Sequence, residues 1–228
     1  MRTMLVLATL LGAFGGITTQ APLSWVTGER LALADPDAQA LGTIWDGSIA
    51  HIDGLPPVRT RLEGRQVILT ASGPQLDMQG IAAPGRLSDI ALSLPVASLA
   101  RFDPRLSGLG GDVSLTVDEL IFDGARCASA SGQASTDVLA VNTTSWRWQG
   151  PPLSGPISCE EGDVLIAMDG QDASGSVEAR IRISPAGPYR TEVTVQTSDP
   201  AAGAVLPLFG FDASGTNRWR LNESGAWQ

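Results

Sequence analysis

A two-residue alternation of apolar and polar side chains recurs along this sequence and limits what the chain can fold into. From residue 176 to residue 183 the odd-numbered side chains are apolar and the even-numbered ones are polar. In an extended strand this pattern turns one face toward a core and the other toward water. Residues 184–188 contain two prolines and a glycine, and the alternation resumes at Glu192. The pattern predicts an antiparallel hairpin over residues 176–197.

Weaker alternation predicts further strands, and Gly or Pro residues stand between most of them. The predicted strands are 66–70, 75–79, 89–94, 113–118, 119–123, 127–133, 137–148 and 164–168. Two short helical turns are expected near residues 96–102 and 201–206. Strands and helices do not alternate with the spacing of a parallel sheet. The prediction is therefore an all-β fold, either an open antiparallel sheet that is twisted or curved or a sandwich of many short strands.

The N-terminal segment is apolar and precedes the alternating region. Arg2 is followed by an apolar run from Met4 to Ile17, and apolar residues return at Trp25 and Val26. As a helix the first run spans roughly 20 Å, less than the ~30 Å hydrocarbon core, so only the longer segment suits a transmembrane helix. A cleaved signal peptide is the alternative. The predicted organisation is a membrane anchor or signal segment at 1–26, a linker at 27–40 and an extracytoplasmic β domain at 41–228.

The charge of the chain argues against a nucleic-acid partner. The formal net charge is −9, and all 15 basic residues are arginines scattered along the sequence. Proteins bind a phosphate backbone through clustered cations that displace its counterions. The sequence shows no such cluster, so we expect no nucleic-acid binding.

Cys127 and Cys159 are the only cysteines of the sequence. Outside the cytoplasm, where the N-terminal segment places them, cysteines persist as disulfides. Both lie near predicted strand ends, and their pairing would close a loop of roughly 33 residues, a constraint of about 3–4 kcal/mol by chain-entropy estimates. Two buried free thiols are the alternative. A zinc site is not expected, because two cysteines and the single distant His51 do not fill four tetrahedral positions.

The sequence carries no residue pattern of a catalytic or cofactor site. His51 is the only histidine, and there is no Gly-x-Ser-x-Gly elbow, no phosphate-binding glycine loop and no dinucleotide fingerprint. Three pairs of acidic residues lie beside glycine or proline in predicted loops, where carboxylates are usually solvated. These pairs are Asp35/Asp37, Glu160/Glu161 and Asp169/Asp172. We therefore expect no enzymatic activity, no cofactor and no bound metal.

Trp146 and Trp148 are two of the six tryptophans and are separated by one residue. On the predicted strand 137–148 their rings would stand on the same face. There they would offer an interaction surface on which a sugar or a peptide can stack. The alternative is packing in the core or against the sheet, since aromatic side chains bury large areas.

Four blocks of the sequence, in their order and spacing, resemble the type II secretion system protein N family (general secretion pathway protein N). The segment Leu41-Gly42-Thr43-Ile44-Trp45-Asp46-Gly47-Ser48 is similar to the family's Gly-Thr-Leu-Trp-Ser-Gly block, with conservative departures at Ile44 and Asp46. The other blocks are the apolar anchor ending near Trp25, the series Leu94-Pro95, Leu99, Leu106-Ser107-Gly108 and 113–117, and the series 208–212, Gly215 and 219–225. Together they extend over nearly the whole chain.

The resemblance implies a non-enzymatic accessory component of the machine that exports folded proteins from the periplasm across the outer membrane. It implies a bacterial inner-membrane protein with a single anchor, a periplasmic β domain and contacts with other secretion proteins. Two further functions stay open. A periplasmic lipid-handling protein would use a curved sheet with an apolar groove, which suits segment 164–168 because it is apolar on both faces. A secreted carbohydrate-binding module would use Trp146 and Trp148.

Overall fold

The computed structural model describes residues 39–43, 45–50, 56–101 and 103–226. The predicted membrane anchor or signal segment at 1–26 lies outside the described residues, and so does most of the predicted linker. Gln39 and Ala40, the last two residues of that linker, belong to the first strand. Within the described ranges, no helix has the length and apolar character needed to cross a membrane.

The described residues form one antiparallel sheet of 14 strands that does not close on itself. The strands are Gln39–Gly42 (β1), Asp46–Ala50 (β2), Val58–Glu63 (β3), Gln66–Gly73 (β4), Leu76–Ala83 (β5), Arg86–Pro95 (β6), Asp112–Asp123 (β7), Arg126–Thr136 (β8), Leu153–Glu160 (β9), Asp163–Asp172 (β10), Gly175–Ile183 (β11), Pro188–Gln196 (β12), Asp212–Gly215 (β13) and Arg218–Ala226 (β14). Neighbours in the chain are neighbours in the sheet as far as β12, and β14 then lies between β12 and β13. Of the two predicted architectures, the open sheet forms and the sandwich does not.

The hairpin predicted over residues 176–197 is confirmed as β11 and β12. Val177 pairs with Val195, and both side chains are almost fully buried on one face. Arg180 pairs with Glu192 on the opposite face. The alternation therefore sorts apolar side chains into the core and charged ones toward water, as a period of two requires.

The described residues of the block that resembles the family's Gly-Thr-x-Trp motif end β1, begin β2 and include Thr43 between the two strands. Gly42 has a φ of +83°, and a Cβ at this position would lie 2.7 Å from the carbonyl oxygen of Asp46. The N–H of Thr43 donates to that same oxygen (3.0 Å), and Thr43 Oγ1 accepts from the Asp46 N–H (3.2 Å). Glycine and threonine at these two positions are thus explained by the geometry of the turn.

The prediction of a strand at 137–148 is wrong, because this segment forms two short helices, Val138–Val141 and Thr143–Trp146. Asn142 stands between them, and its Nδ2 donates to the carbonyl oxygen of Val138 (2.7 Å), a local bond that an extended strand does not form. Arg147 then adopts a left-handed backbone with a φ of 56° and ends the second helix. Side chains that bond to nearby backbone outweigh the apolar spacing in this segment.

The strands predicted separately at 113–118 and 119–123 are a single strand, β7. Its register with β8 shifts between Val117 and Glu119. Such a bulge keeps a strand continuous while it moves the following side chains to the other face. The phase change in the sequence therefore marks a bulge and not a strand end.

The two expected helical turns are confirmed. Residues Val96–Arg101 form a 3₁₀ helix, and the helix Pro200–Val205 continues into a 3₁₀ helix at Leu206–Phe209. The Asp199 side chain accepts from the N–H of Ala201 (2.8 Å) and caps the second of these segments.

One face of the sheet carries two apolar clusters. The first contains Trp148, Val177 and Val195, and the second contains Val117 and Ile157. Met168 packs against both clusters. The apolar face is therefore continuous across the middle and the C-terminal half of the sheet.

The predicted disulfide between Cys127 and Cys159 is present, with Cα atoms 5.6 Å apart. Cys127 lies at the start of β8 and Cys159 at the end of β9, so the bond joins two adjacent strands. The N–H of Cys127 also donates to the carbonyl oxygen of Gly162, in the turn that follows β9 (2.7 Å). The two thiols are therefore not free, and the bond reinforces the centre of the sheet.

We expect loss of the Cys127–Cys159 bond to lower the free energy of unfolding by about 3 kcal/mol, because the bond closes a long loop in the unfolded chain. Chemical denaturation of the full chain with and without a thiol reductant measures this effect. The double variant Cys127→Ala/Cys159→Ala is the control and should resemble the reduced protein in both conditions. An unfolding midpoint that does not move on reduction contradicts the prediction.

Candidate functional site

Three connecting segments lie against the face of the sheet that β9–β12 and β14 form. We call these segments, residues 103–109, 138–148 and 205–211, the roof. Between the roof and the strands is an apolar cavity of about 350 Å³, at the small end of the ~300–1,000 Å³ range of ligand pockets. The strand side chains that form its floor are Leu153, Met168, Val177, Ala179, Ile181, Val193, Val195 and Leu221.

The two candidate tryptophans both line this cavity, although neither lies on a strand. Trp146 ends the helix Thr143–Trp146, and its ring meets that of Phe209 edge to face, with centroids 5.5 Å apart. Trp148 is 2% exposed and belongs to the first apolar cluster. The placement of the pair on one strand face was wrong, and core packing is the alternative that describes Trp148.

A buried asparagine joins one roof segment to Gly110, the residue that directly follows another roof segment. Asn142 is 6% exposed, its Oδ1 accepts from the N–H of Gly110 (2.9 Å), and its Nδ2 donates to the Gly110 carbonyl oxygen (2.9 Å). The side chain therefore fixes the helical segment 138–148 against the loop that follows Leu106. Because all these polar atoms are paired, the junction tolerates burial.

An arginine joins the other parts of the roof and forms the rim of the cavity. Arg105 Nη1 donates to the carbonyl oxygen of Phe209 (2.8 Å), and its Nε lies 2.9 Å from each carboxylate oxygen of Asp103. Its Nη2 is 3.7 Å from Glu223 on β14. Hydrogen bonding from Arg105 holds the pKa of Asp103 below its usual value, and the same bond raises the pKa of Arg105.

Sequence reasoning missed Arg105 and Asn142. Each makes its contacts across the fold: Arg105 reaches a residue 104 positions away, and Asn142 reaches one 32 positions away. The only local signal was the pair Asp103 and Arg105, in which the aspartate also accepts from the backbone N–H of Arg105 (3.0 Å). That pattern marks a turn and does not indicate which carbonyl the guanidinium reaches.

The acidic pairs of the sequence do not converge on a common site in the part of the chain that the structure describes. Glu161 lies 3.3 Å from Arg182, which also contacts Glu160. Asp172 accepts from the backbone N–H of Ser174 (2.8 Å) within a turn. Asp35 and Asp37 lie outside the described residues. No group of three or more His, Cys, Asp or Glu residues suited to a metal ion occurs in the described ranges.

The sheet ends in an edge at β14 that is only partly covered. β13 pairs with β14 through Asp212, Ala213 and Gly215. Gly210, with a φ of 86°, lies near the end of the roof segment that precedes β13. On its outer side, residues 221–226 of β14 have no strand beside them among the described residues. Alternate residues along an antiparallel strand direct both N–H and C=O to the same side. This edge therefore has backbone donors and acceptors that no described strand pairs on its outer side.

A sequence model of the family "Type II secretion system (T2SS), protein N" matches residues 38–220. The chain belongs to this family. Comparison with curated proteins found no match, and comparison with solved structures found none either. The resemblance seen in the sequence is thereby shown.

The matched region of this protein N family member contains nearly all of the structural features described above. It starts one residue before β1 and ends within β14. The disulfide, Asn142, Arg105 and both candidate tryptophans lie inside it. The family is an accessory component of type II secretion and is not a known enzyme family.

In the variant Arg105→Gln we expect the pKa of Asp103 to rise toward its usual value, because the hydrogen bond that lowers it is lost. In the native protein, the pair stabilises the fold at pH values above the usual Asp pKa, and this contribution is lost as pH falls through the lowered pKa. NMR titration of the Asp103 carboxyl carbon measures the shift. The control Arg86→Gln removes an ion pair to Glu119 outside the roof and should leave Asp103 unchanged. Equal Asp103 titrations in both variants contradict the assigned hydrogen bond between Arg105 and Asp103.

Proposed function

We propose that this chain is a non-enzymatic accessory component of the type II secretion system, anchored in the bacterial inner membrane by one N-terminal segment, with its sheet in the periplasm. It contributes to the export of folded proteins across the outer membrane through contacts with other proteins of the system. The observation that carries this proposal is the family match over residues 38–220.

The disulfide supports the proposed compartment. Cys127 and Cys159 are bonded to each other on adjacent strands. Disulfides persist in the bacterial periplasm, whereas reducing systems of the cytosol keep thiols free. A sheet that contains this bond is suited to the periplasmic side of the inner membrane.

The outer edge of β14 supports contact by strand addition. Residues 221–226 offer six positions, which matches the usual length of a strand. β1, at the other edge, offers only the four residues Gln39–Gly42. In strand addition, the backbone bonds of an extended segment supply affinity and side-chain pockets supply specificity. The edge of β14 is therefore the proposed contact site for a secretion partner.

The carbohydrate-binding alternative receives less support. It requires two exposed rings on one surface, whereas Trp148 is 2% exposed and lies in the core. The lipid-handling alternative has one specific observation in its favour, the apolar cavity beneath the roof.

A secretion assay in a deletion strain tests the proposed function. We expect the strain to retain type II substrates in the periplasm, and the native gene to restore their export. Tagged native protein should also bring down other type II secretion proteins. Unchanged export in the deletion strain contradicts the proposal.

Two proline variants at adjacent positions of β14, Asn222→Pro and Glu223→Pro, test the proposed edge when they are expressed in the same deletion strain. Since Asn222 and Glu223 direct their backbone N–H groups to opposite sides of β14, one substitution removes an outward donor and the other a donor to β12. We expect the outward variant to fold normally but to lose partner capture and export, and the inward variant to be destabilised. Glu223→Gln controls for the lost ion pair with Arg105. Normal capture by both folded variants contradicts the edge as the contact site.

A further inference from the structure

The outer edge of β14 lacks the features that usually stop a free sheet edge from pairing. Native sheets block such edges with proline, with lysine or with a covering segment. Residues 221–226 contain no proline, and Glu223 is their only charged residue. β13 pairs only with residues 218–220 of β14, and no other strand among the described residues lies on this side. The six positions that follow are therefore open to an added strand.

The side chains of this edge alternate between the two faces of the sheet. Leu221 and Glu223 line the cavity beneath the roof, so the odd-numbered positions face the roof. Gly225 continues this row, and a Cβ there would lie 2.7 Å from the ring of Tyr189, its partner on β12. On the roof side, an added strand would therefore lie beside a leucine, a glutamate and a glycine covered by an aromatic ring.

Glu223 leaves an excess negative charge at this edge. Its one ion-pair partner among the described residues is Arg105, whose Nη2 is 3.7 Å away, beyond hydrogen-bond distance. Arg105 is already engaged, since its Nη2 lies 2.7 Å and its Nε 2.9 Å from carboxylate oxygens of Asp103. The Glu223 side chain is 48% exposed. Two carboxylates thus share one guanidinium, and the charge of Glu223 is open to a partner.

A strand that pairs with this edge places one residue directly opposite Glu223, with the two Cβ atoms about 4.5–5.5 Å apart. Opposite charges in such a pair stabilise a sheet and like charges destabilise it, so the favoured residue is Arg or Lys. The residues two positions away on either side face Leu221 and the Tyr189 ring. Leu208, in the neighbouring roof segment, is 72% exposed. These surroundings favour apolar side chains at both flanking positions.

A second copy of this chain does not supply such a strand. Residues 221–226 carry no basic side chain, and neither do Gln39–Gly42 of β1 at the other edge of the sheet. When two β14 edges pair antiparallel with their roofs on the same side, odd-numbered residues meet odd-numbered ones. Glu223 then faces either another Glu223 or an uncharged residue. The complementary charge therefore comes from a different protein.

We propose that the edge of β14 takes an extended segment of another secretion protein in which a basic residue stands between two apolar ones at alternate positions. The basic residue lies opposite Glu223, and the apolar residues pack beside Leu221 and Tyr189. This inference rests on the proposed function and deepens it, because it names the chemistry of the partner strand. Backbone bonds supply most of the affinity, and the basic residue supplies the specificity.

Equilibrium binding of two peptides to the purified full chain, in one detergent throughout, tests this chemistry. The first peptide is acetyl-Thr-Val-Thr-Arg-Thr-Val-Thr-amide, and the second has Glu in place of Arg. We expect the Arg peptide to bind about fivefold more tightly, because it replaces a like-charge pair with an opposite-charge pair. Its binding should also slow hydrogen exchange of the outward-facing amides within residues 222–226. Equal binding of the two peptides overturns the proposal, and so does the absence of saturable binding.

Three charge variants separate the edge residue from the net charge of the chain. Glu223→Arg should reverse the preference between the peptides, and Glu223→Gln should remove it while both peptides still bind. Glu63→Arg is the matched control, because it makes the same change of charge at a 57%-exposed side chain on β3, inside the sheet. The control should keep the preference for the Arg peptide. Equal loss of preference in the control and in Glu223→Arg overturns the proposal.

Thermal unfolding checks that each variant is folded, and Glu223→Gln alone tests the edge if Glu223→Arg is not. An unchanged preference in folded Glu223→Gln overturns the partner chemistry. The secretion assay in the deletion strain separates this result from the wider function. Lost export together with equal peptide binding overturns only the assigned strand, whereas unchanged export overturns the secretion role on which it rests.

Discussion

A single open sheet must remove its apolar face from water, and most other features of this structure follow from how the chain meets that requirement. A sandwich would cover the face with a second sheet, but here three connecting segments take that place over the strands β9–β12 and β14. These connections are short helices and turns, and they hold their position through Arg105 and Asn142 rather than through a sheet of their own. Apolar packing drives the roof onto the sheet, and these few polar bonds fix its position.

The sequence predicted the parts of the fold whose determinants are local. The hairpin of β11 and β12 has strict alternation on both sides of a proline- and glycine-containing turn, and the disulfide followed from two cysteines in an extracytoplasmic setting. Strand β9 was missed because Gly155 and Pro156 interrupt its pattern, and β14 was missed because it is mostly polar. Their neighbours in the sheet, not their own side chains, determine their conformation.

The cavity was not predictable from the sequence, because its parts come from distant positions. Trp146 meets Phe209, and Arg105 reaches the carbonyl oxygen of the same residue. The sequence placed the two tryptophans on one strand face, either as an exposed surface or packed in the core, whereas Asn142 and the left-handed Arg147 turn the segment into helices over the sheet. The sequence singled out Trp146 and Trp148, but the residues that surround them are set by the tertiary fold.

The free edge of the sheet and the apolar cavity share one strand. The outer backbone of β14 forms the edge for strand addition, while Leu221 and Glu223 on the same strand line the cavity and its rim.

The openness of the sheet is the central claim, and amide hydrogen exchange of the full chain, resolved residue by residue with NMR, tests it most directly. In residues 222–226 the account predicts alternating rates, with amides that face β12 exchanging slowly and those that face outward exchanging as fast as loop amides. Uniformly slow exchange along this segment would contradict it, because every amide of β14 would then be paired and the sheet would have no free edge there.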